Sequence, residues 1–371
     1  MEKNRRIRVL LCSPYGRMVG GISRWTGHVL DYYSKNETDI NLKHYYSNGK
    51  GAYQNTNLII RLYIGIMSYI PFLLGLISEI KRNKYDVIHF TSSASISLIR
   101  DILSLKIAKK KCVKTVIHFR FGRIPEIYNK QNWEQRLLHL VITLSDKVIV
   151  IDKHSYRTLL QFGYKNVEIL ANPLSPIVNE IIQQNSAISK LSNKLVFAGH
   201  VVTNKGVFEL VQACKEIDNV KLVIVGYSNQ ETKNMLIKPA GVNHNSWLEF
   251  AGELSIEDTI KEMLSAGIFV LPTYTEGFPN VIIESMACGC PIVTTKVGAI
   301  PEMLDIDNGE QYGICIEPRS VEKLKDSIIR MLEDRVFAIS CGENAKKRVN
   351  ELYSMPIIWS KMESIWKSLV N

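Results

Sequence analysis

Residues 267–304, GIFVLPTYTEGFPNVIIESMACGCPIVTTKVGAIPEML, decide how the rest of the chain is read. A β-branched apolar run ends at Pro272 and a polar loop follows. A helix is predicted to begin near Pro279, a residue favoured in a first helical turn. PIVTT (291–295) then reads as a second strand. Strand, loop, helix and strand in this order form the repeating unit of a parallel sheet.

The same alternation runs outward in both directions. IRVLLCS (7–13), YDVIHFTS (85–92), VKTVIHF (113–119), KVIVID (147–152) and VEILANP (167–173) read as strands of a first half. KLVFAG (194–199), VKLVIVG (220–226), LEFAG (248–252), GIFVLP (267–272), PIVTT (291–295) and YGICIEP (312–318) read as strands of a second. Most intervening stretches are long enough for helices, so the expected class is α/β, with two Rossmann-like doubly wound domains facing a cleft. The strand series pauses over 174–193, a polar stretch. The expected domains are 1–175 and 194–355, with 176–193 as linker and 356–371 as a C-terminal helix returning to the N-terminal domain. Ligands of such sheets bind at the carboxyl ends of the strands.

Composition narrows the class. At 371 residues, 46% hydrophobic and 22% charged, the chain is neither disordered, collagen-like nor a polytopic membrane protein. Seven cysteines without a Cys-x-x-Cys pair make no disulfide scaffold, and no signal peptide is visible, so reduced thiols in a cytoplasmic protein are expected. The net charge of +10 is uneven. Residues 1–190 hold 28 Lys and Arg against 13 Asp and Glu (+15), and residues 191–371 hold 18 against 23 (−5). A basic half fits nucleic acid, an anionic membrane or a phosphorylated substrate. Zinc-finger spacing, an aromatic single-strand platform and an Arg-rich tail are all missing, so no nucleic acid is expected. Residues 58–80, LIIRLYIGIMSYIPFLLGLISEI, carry only Arg61 before Glu79. The charge-free part falls short of the roughly 20 apolar residues of a membrane span, and Pro71 and Gly75 interrupt it. It reads as a helix buried on the sheet, with a membrane-surface helix as the alternative.

The chemistry concentrates around Glu276 and Glu284, separated by seven residues. Amides at Gly277–Asn280 open the predicted helix, and with its dipole they form a site for phosphate. A carboxylate next to phosphate is unfavourable unless it bonds hydroxyls, so both glutamates read as acceptors for sugar or ribose hydroxyls. Helix capping by Glu276 and an exposed helix charge at Glu284 are the plainer alternatives.

These residues, inside TEGFPNVIIESMACGCPIV with SAGIFVLP before and KVGAIPEML after, resemble the signature of the family 4 retaining glycosyltransferases of GT-B fold, the glycosyl transferases group 1. LVFAGHVVTNKGVFELV (195–211) is similar to the family's phosphate loop. The likeness is specific over about 194–318. It is weaker over 1–173, where Gly20-Gly21, His118 and Asn172-Pro173 fit. The resemblance implies a UDP- or GDP-linked sugar as donor substrate, transfer with retention, no cofactor and no metal.

It also implies roles. Glu284 would bond the donor ribose and Glu276 the transferred sugar. Gly277, Phe278, Pro279 and Asn280 would contribute donor-binding contacts, and Lys205 would neutralise the diphosphate leaving group. Gly20 and Gly21 would let the backbone approach the donor closely, a feature that a plain loop explains as well. The family places Arg where this chain has His200, which weakens the expected diphosphate contact there because only a protonated imidazole replaces the guanidinium charge. His118 would approach the transferred sugar, or be a satisfied structural histidine. Arg120 and Arg123 would bind an anionic acceptor, or be solvated. Asp305-Ile-Asp307 reads as a surface loop rather than a metal pair, and Cys288 and Cys290 as packed thiols.

The expected function is therefore transfer of a sugar to a glycan or lipid-linked acceptor, in bacterial surface polysaccharide or glycolipid synthesis. A nucleotide-sugar epimerase of the same architecture and a non-catalytic nucleotide-sugar binding subunit are the alternatives. An anionic membrane surface, met from the cytoplasmic side, is a further candidate partner.

Overall fold

A computed structural model describes residues 5–16, 20–47 and 58–370, with the backbone alone at 58–66 and 68. The chain divides into two compact units, Met1–Pro173 with Met355–Asn371, and Leu174–Ser354.

The first unit is built on six parallel strands: β1 Ile7–Ser13, β2 Ile40–Tyr46, β3 Val87–Ser92, β4 Lys114–Phe119, β5 Lys147–Val150 and β6 Val167–Ile169. Their order is β2-β1-β3-β4-β5-β6. The chain winds outward in both directions from β1, so the switch point lies at the carboxyl ends of β1 and β3. Alternation along the strands fills both faces. Leu10, Cys12, Ile88, Phe90 and Ile117 pack into one core, and Val9, Leu11, Val87 and Val116 into the other. The second core is completed by the helix Met355–Lys367, which buries Met355, Ile358, Trp359, Met362 and Trp366 at helical spacing.

β2 was not among the predicted strands. Its sequence INLKHYY alternates, with Ile40 and Leu42 buried and Asn41 and Lys43 exposed, because it is an edge strand. The continuous apolar runs that mark interior parallel strands are therefore missing from it.

The second unit repeats the design with β7 Leu191–Ala198, β8 Lys221–Val225, β9 Leu248–Gly252, β10 Ala266–Leu271, β11 Ile292–Thr295 and β12 Ile314–Ile316, in the order β12-β11-β10-β7-β8-β9. Here the switch point falls between β7 and β10. The expected linker is structured: Pro176–Gln184 is a helix with Pro in its first turn, burying Val178 and Ile181 against the helix Ile256–Ser265, and β7 already begins at Leu191. Its polarity is that of a half-exposed helix rather than of a flexible connector.

The helix Leu58–Arg82 runs unbroken through Pro71 and Gly75. It buries Phe72, Leu76 and Ile80 in the first core, while Met67, Ile70 and Leu74 are exposed. Among the described residues no helix is long and apolar enough to cross a membrane. All seven cysteines are free thiols.

The C-terminal helix makes a direct test of how the first core is closed. Trp359 is 3% exposed, packs on Tyr32 and Tyr33, and donates its indole N–H to Glu363 at 2.9 Å. Trp359→Ala is expected to cost about 3–5 kcal/mol, read as a lowered midpoint in urea unfolding.

Candidate functional site

In the second unit the site grows from two loops that leave neighbouring strands at the switch point. After β7 the chain makes a single 3-10 turn, Thr203–Lys205. The carbonyl of Asn204 accepts the Tyr274 amide at 2.8 Å and the Thr273 hydroxyl at 3.2 Å, which ties this loop to the one following β10. Gly206 closes the turn at φ +69°, where a Cβ would stand 1.9 Å from the Pro272 carbonyl oxygen. No other residue tolerates that approach. The consequence is an ion pair between Lys205 Nζ and Glu276 Oε1, with the two side chains only 22% and 14% exposed.

The carboxylate loop is also held from behind. Gly298, at φ +55°, lies so close that a Cβ would be 2.2 Å from the Glu276 carbonyl oxygen. The next amide, Ala299, donates to Gly277 O at 2.9 Å. Tyr274 donates its hydroxyl to Glu209 and lies under the Arg319 guanidinium, 4.8 Å from its ring centre. Burial and the Glu209 carboxylate push the Tyr274 hydroxyl up to about 12.

The helix predicted near Pro279 is Asn280–Ala287, with Pro279 as its N-cap. Phe278 is buried edge-on against Tyr353, 5.6 Å between ring centres. The first amides of this helix have no i−4 carbonyl to bond. Asn280 and Glu284 stand one turn apart on the same face, and Glu284 is half-buried. His200 belongs to the same loop as Lys205 and is exposed.

Cys288 and Cys290 are buried, and burial pushes both thiols up. Cys290 donates to Met263 O at 3.0 Å. Asp305 is bonded by Arg348 at 3.4 Å and Asp307 is exposed in the following turn. Among the described residues no three His, Cys, Asp or Glu side chains are grouped to hold a metal.

In the first unit, Gly20 precedes the helix Gly21–Lys35 in extended backbone, and a Cβ on Gly20 or Gly21 would meet nothing within 4 Å. Among the described residues no neighbour demands glycine there. His118, at the end of β4, is fully buried. Its Nδ1 lies 3.3 Å from His89 Nε2 and its Nε2 lies 3.2 Å from Arg120 Nη1. Trp25 meets the His118 ring edge-on, centroids 5.1 Å apart, and carries the Arg120 guanidinium 4.7 Å above its own ring. Arg120 also donates to Asn172 Oδ1 at 2.6 Å, so it is a packed cation rather than a solvated one. Arg123 is exposed and pairs with Glu134 at 3.2 Å.

The sequence reading did not include His89, Trp25 or Trp366. One signal was present: Val-Ile-His-Phe occurs twice, at 87–90 and 116–119, in strands that pair side by side. Nothing local marks Trp366, which reaches the cluster from the far end of the chain.

The model for glycosyl transferases group 1 matches residues 178–348. The capsular polysaccharide biosynthesis glycosyltransferase CapM of Staphylococcus aureus is 28% identical over 254 residues, a match that spans 64% of this chain and 60% of that relative. Two solved structures show the fold: sucrose-phosphate synthase from Thermosynechococcus elongatus (TM-score 0.70, 17% identity, 98% and 99% of the two chains) and Anabaena Alr3699/HepE in complex with UDP (TM-score 0.70, 16% identity, 98% and 100%). The two Rossmann-like units are those of the GT-B fold.

Burial lowers His118 well below its usual range and His89 to about 3, and in both the Arg120 charge adds to the effect. An unfolded histidine takes up a proton near pH 6.5. Below that pH the unfolded chain binds protons that the fold refuses, so stability is complete above pH 6.5 and falls as the pH drops. The expected slope is about 1.4 kcal/mol per pH unit for each buried imidazole. Urea midpoints at pH 7 and pH 5 check it, and equal midpoints would contradict it.

Proposed function

We propose that the chain is a group 1 glycosyltransferase, as the match over 178–348 supports, and that it moves a sugar, with retention, from a UDP- or GDP-linked donor to a glycan or lipid-linked acceptor in surface polysaccharide or glycolipid synthesis. The observation that carries the reading is the Lys205–Glu276 pair, fixed by backbone at the strand switch point beside a helix start. Lys205 is the cation for the diphosphate, and it acts where negative charge grows as the leaving group departs. A diphosphate at this loop draws the ammonium from Glu276 and turns the carboxylate to the hydroxyls of the transferred sugar. Glu284 takes the ribose hydroxyls. The amides from Gly277 to Asn280, with the helix dipole, hold phosphate oxygens. His200 adds charge to the phosphates when protonated, and His118 contacts the transferred sugar. Gly20 and Gly21 leave space for the donor, and the exposed Arg123 is the cation for an anionic acceptor. With the diphosphate charge met by Lys205 and amides, the reaction needs no metal.

Replacing Glu284 with Ala removes charge-assisted bonds worth roughly 1.5–3 kcal/mol each, so donor affinity in calorimetry is expected to fall at least about tenfold. Unchanged affinity would refute the ribose role.

Lys205→Ala is expected to lower turnover more than donor affinity, since its charge counts most in the transition state. In the same assay wild-type turnover is expected to persist in excess EDTA. A strict Mn²⁺ or Mg²⁺ requirement would overturn the metal-free reading, and product formed from donor alone would favour an epimerase.

We also propose that the first unit docks on an anionic membrane surface. Met67, Ile70 and Leu74 form an exposed apolar stripe, and exposed Lys81 and Arg82 end the same helix two turns on, with exposed Lys84 just beyond. Lys106, Lys109, Lys110, Lys111 and Lys114 are exposed too. In the N-terminal basic group Lys3/Arg5/Arg6/Arg8, Lys3 lies outside the described residues. Each basic residue near anionic lipid contributes about 1 kcal/mol. Flotation is expected with anionic but not neutral vesicles, to be lost at high salt, and to weaken when Lys81, Arg82 and Lys84 become Glu. Failure to float with anionic vesicles at low salt would leave the acceptor a soluble one.

A further inference from the structure

Four side chains of the first unit form a line of nitrogen contacts. Trp366 Nε1 donates to His89 Nδ1 at 3.1 Å, His89 Nε2 meets His118 Nδ1 at 3.3 Å, and His118 Nε2 meets Arg120 Nη1 at 3.2 Å. Indole and guanidinium groups only donate, whereas a neutral imidazole has one donor and one acceptor. Burial keeps both imidazoles neutral. Three contacts therefore hold four N–H groups, and at one contact a donor must face a donor.

Burial decides which contact that is. Trp366, His89 and His118 are each 0% exposed, so a clash at either of the first two contacts is locked in place. Arg120 is half-buried, has further hydrogens on its guanidinium, and is anchored through its other terminal nitrogen to Asn172. The misfit falls at Arg120. With Trp366 donating to Nδ1, His89 carries its proton on Nε2 and donates to His118 Nδ1, which leaves the His118 proton on Nε2. The cluster is short of acceptors elsewhere as well: among the described residues Trp25 Nε1 and Arg120 Nε have no hydrogen-bond partner.

We infer that His89, oriented by Trp366, is a positioning residue that fixes the His118 proton on Nε2, so that this N–H and the Arg120 guanidinium present two converging donors to one oxygen of the sugar substrate. The inference rests on the proposed contact of His118 with the transferred sugar. The two nitrogens are 3.2 Å apart and His118 is fully buried, so a substrate oxygen enters beside this contact as the half-buried Arg120 gives way; it then accepts from both and removes the clash. A substrate group that itself only donates finds no partner there.

The test is ¹⁵N NMR of the histidine rings in the full chain, together with steady-state kinetics. Wild-type His118 is expected to show a bare Nδ1 and a protonated Nε2. Trp366→Phe removes the outer donor without touching His118. It lets His89 shift its proton to Nδ1 and Arg120 donate to His118 Nε2, so the His118 tautomer is expected to invert. His89→Leu is expected to invert it too. His89→Gln is expected to restore it, because its amide N–H donates to His118 while its oxygen accepts from Trp366. Turnover is expected to fall roughly tenfold in the two inverted variants, with KM for the nucleotide sugar little changed, and to recover with Gln. A wild-type His118 protonated on Nδ1, or a tautomer unmoved in Trp366→Phe, would overturn the positioning role. Inversion with unchanged turnover would overturn the donor role toward sugar and keep the relay.

Discussion

The arrangement of the second unit depends on one carbonyl. Asn204 O accepts both the Tyr274 amide and the Thr273 hydroxyl, and by doing so it pins the loop after β7 to the loop after β10. These strands are neighbours in the sheet although the chain visits β8 and β9 between them. The contact needs Gly206, since a side chain there would enter the Pro272 carbonyl. It also needs the Gly298 turn, which presses on the Glu276 carbonyl from the other side. Lys205 and Glu276 are opposed because backbone holds each loop, and their attraction adds to a geometry already fixed. Such preorganisation is what electrostatic catalysis requires, because a cation that must first be gathered into place loses part of its effect to reorganisation.

The first unit reaches its polar cluster by another route. His118 and His89 project from paired interior strands into a core of Val, Leu and Trp side chains, where burial strips them of charge. What orders them is an indole N–H from the helix Met355–Lys367, some 277 residues along the chain from His89. The helix thus has two duties, covering the sheet with Trp359 and Met362 and setting a proton with Trp366. Arg120 is held in the same way, by Trp25 beneath it and Asn172 beside it, and burial pushes its guanidinium down to about 9, still charged at neutral pH.

Most of this fold was legible in the sequence because interior parallel strands leave a plain trace. IRVLLCS and GIFVLP are apolar on both faces, and their shortness and β-branched residues between helical stretches mark them as strands. The trace fails where burial is one-sided. β2 alternates as an edge strand must, and Pro176–Gln184 shows only Val178 and Ile181 to the core, so one was passed over and the other taken for a linker. In the candidate site, Glu276 and Glu284 were picked out by their spacing along one stretch of chain, and Lys205, 71 residues away, by the resemblance of 195–211 to a phosphate loop. The partners of His118 were not, since Trp25, His89 and Trp366 are brought together by sheet pairing and by the C-terminal helix, and a single sequence carries no record of such distant contacts. Arg120 illustrates the same limit: solvated and packed arginines look alike until the aromatic ring beneath is known.

The helix Leu58–Arg82 shows why composition alone gave two answers there. A stretch apolar on every side satisfies both a buried helix and a membrane-facing one. Here the faces divide the work: Phe72, Leu76 and Ile80 enter the core, while Met67, Ile70 and Leu74 stay outside it. The inner face is enough to hold the helix on the sheet, with each fully buried side chain contributing about 1.5–3 kcal/mol. Among the described residues, the outer face at Met67, Ile70 and Leu74 is exposed, yet it remains apolar where ordinary surface helices carry charge. Three apolar side chains at i, i+3 and i+7 are too few to drive insertion, and a basic cluster without them is screened within a Debye length. On one surface the two are complementary: in the proposed docking the charges would bring this face to anionic lipid, and the apolar stripe would set the depth and direction of contact.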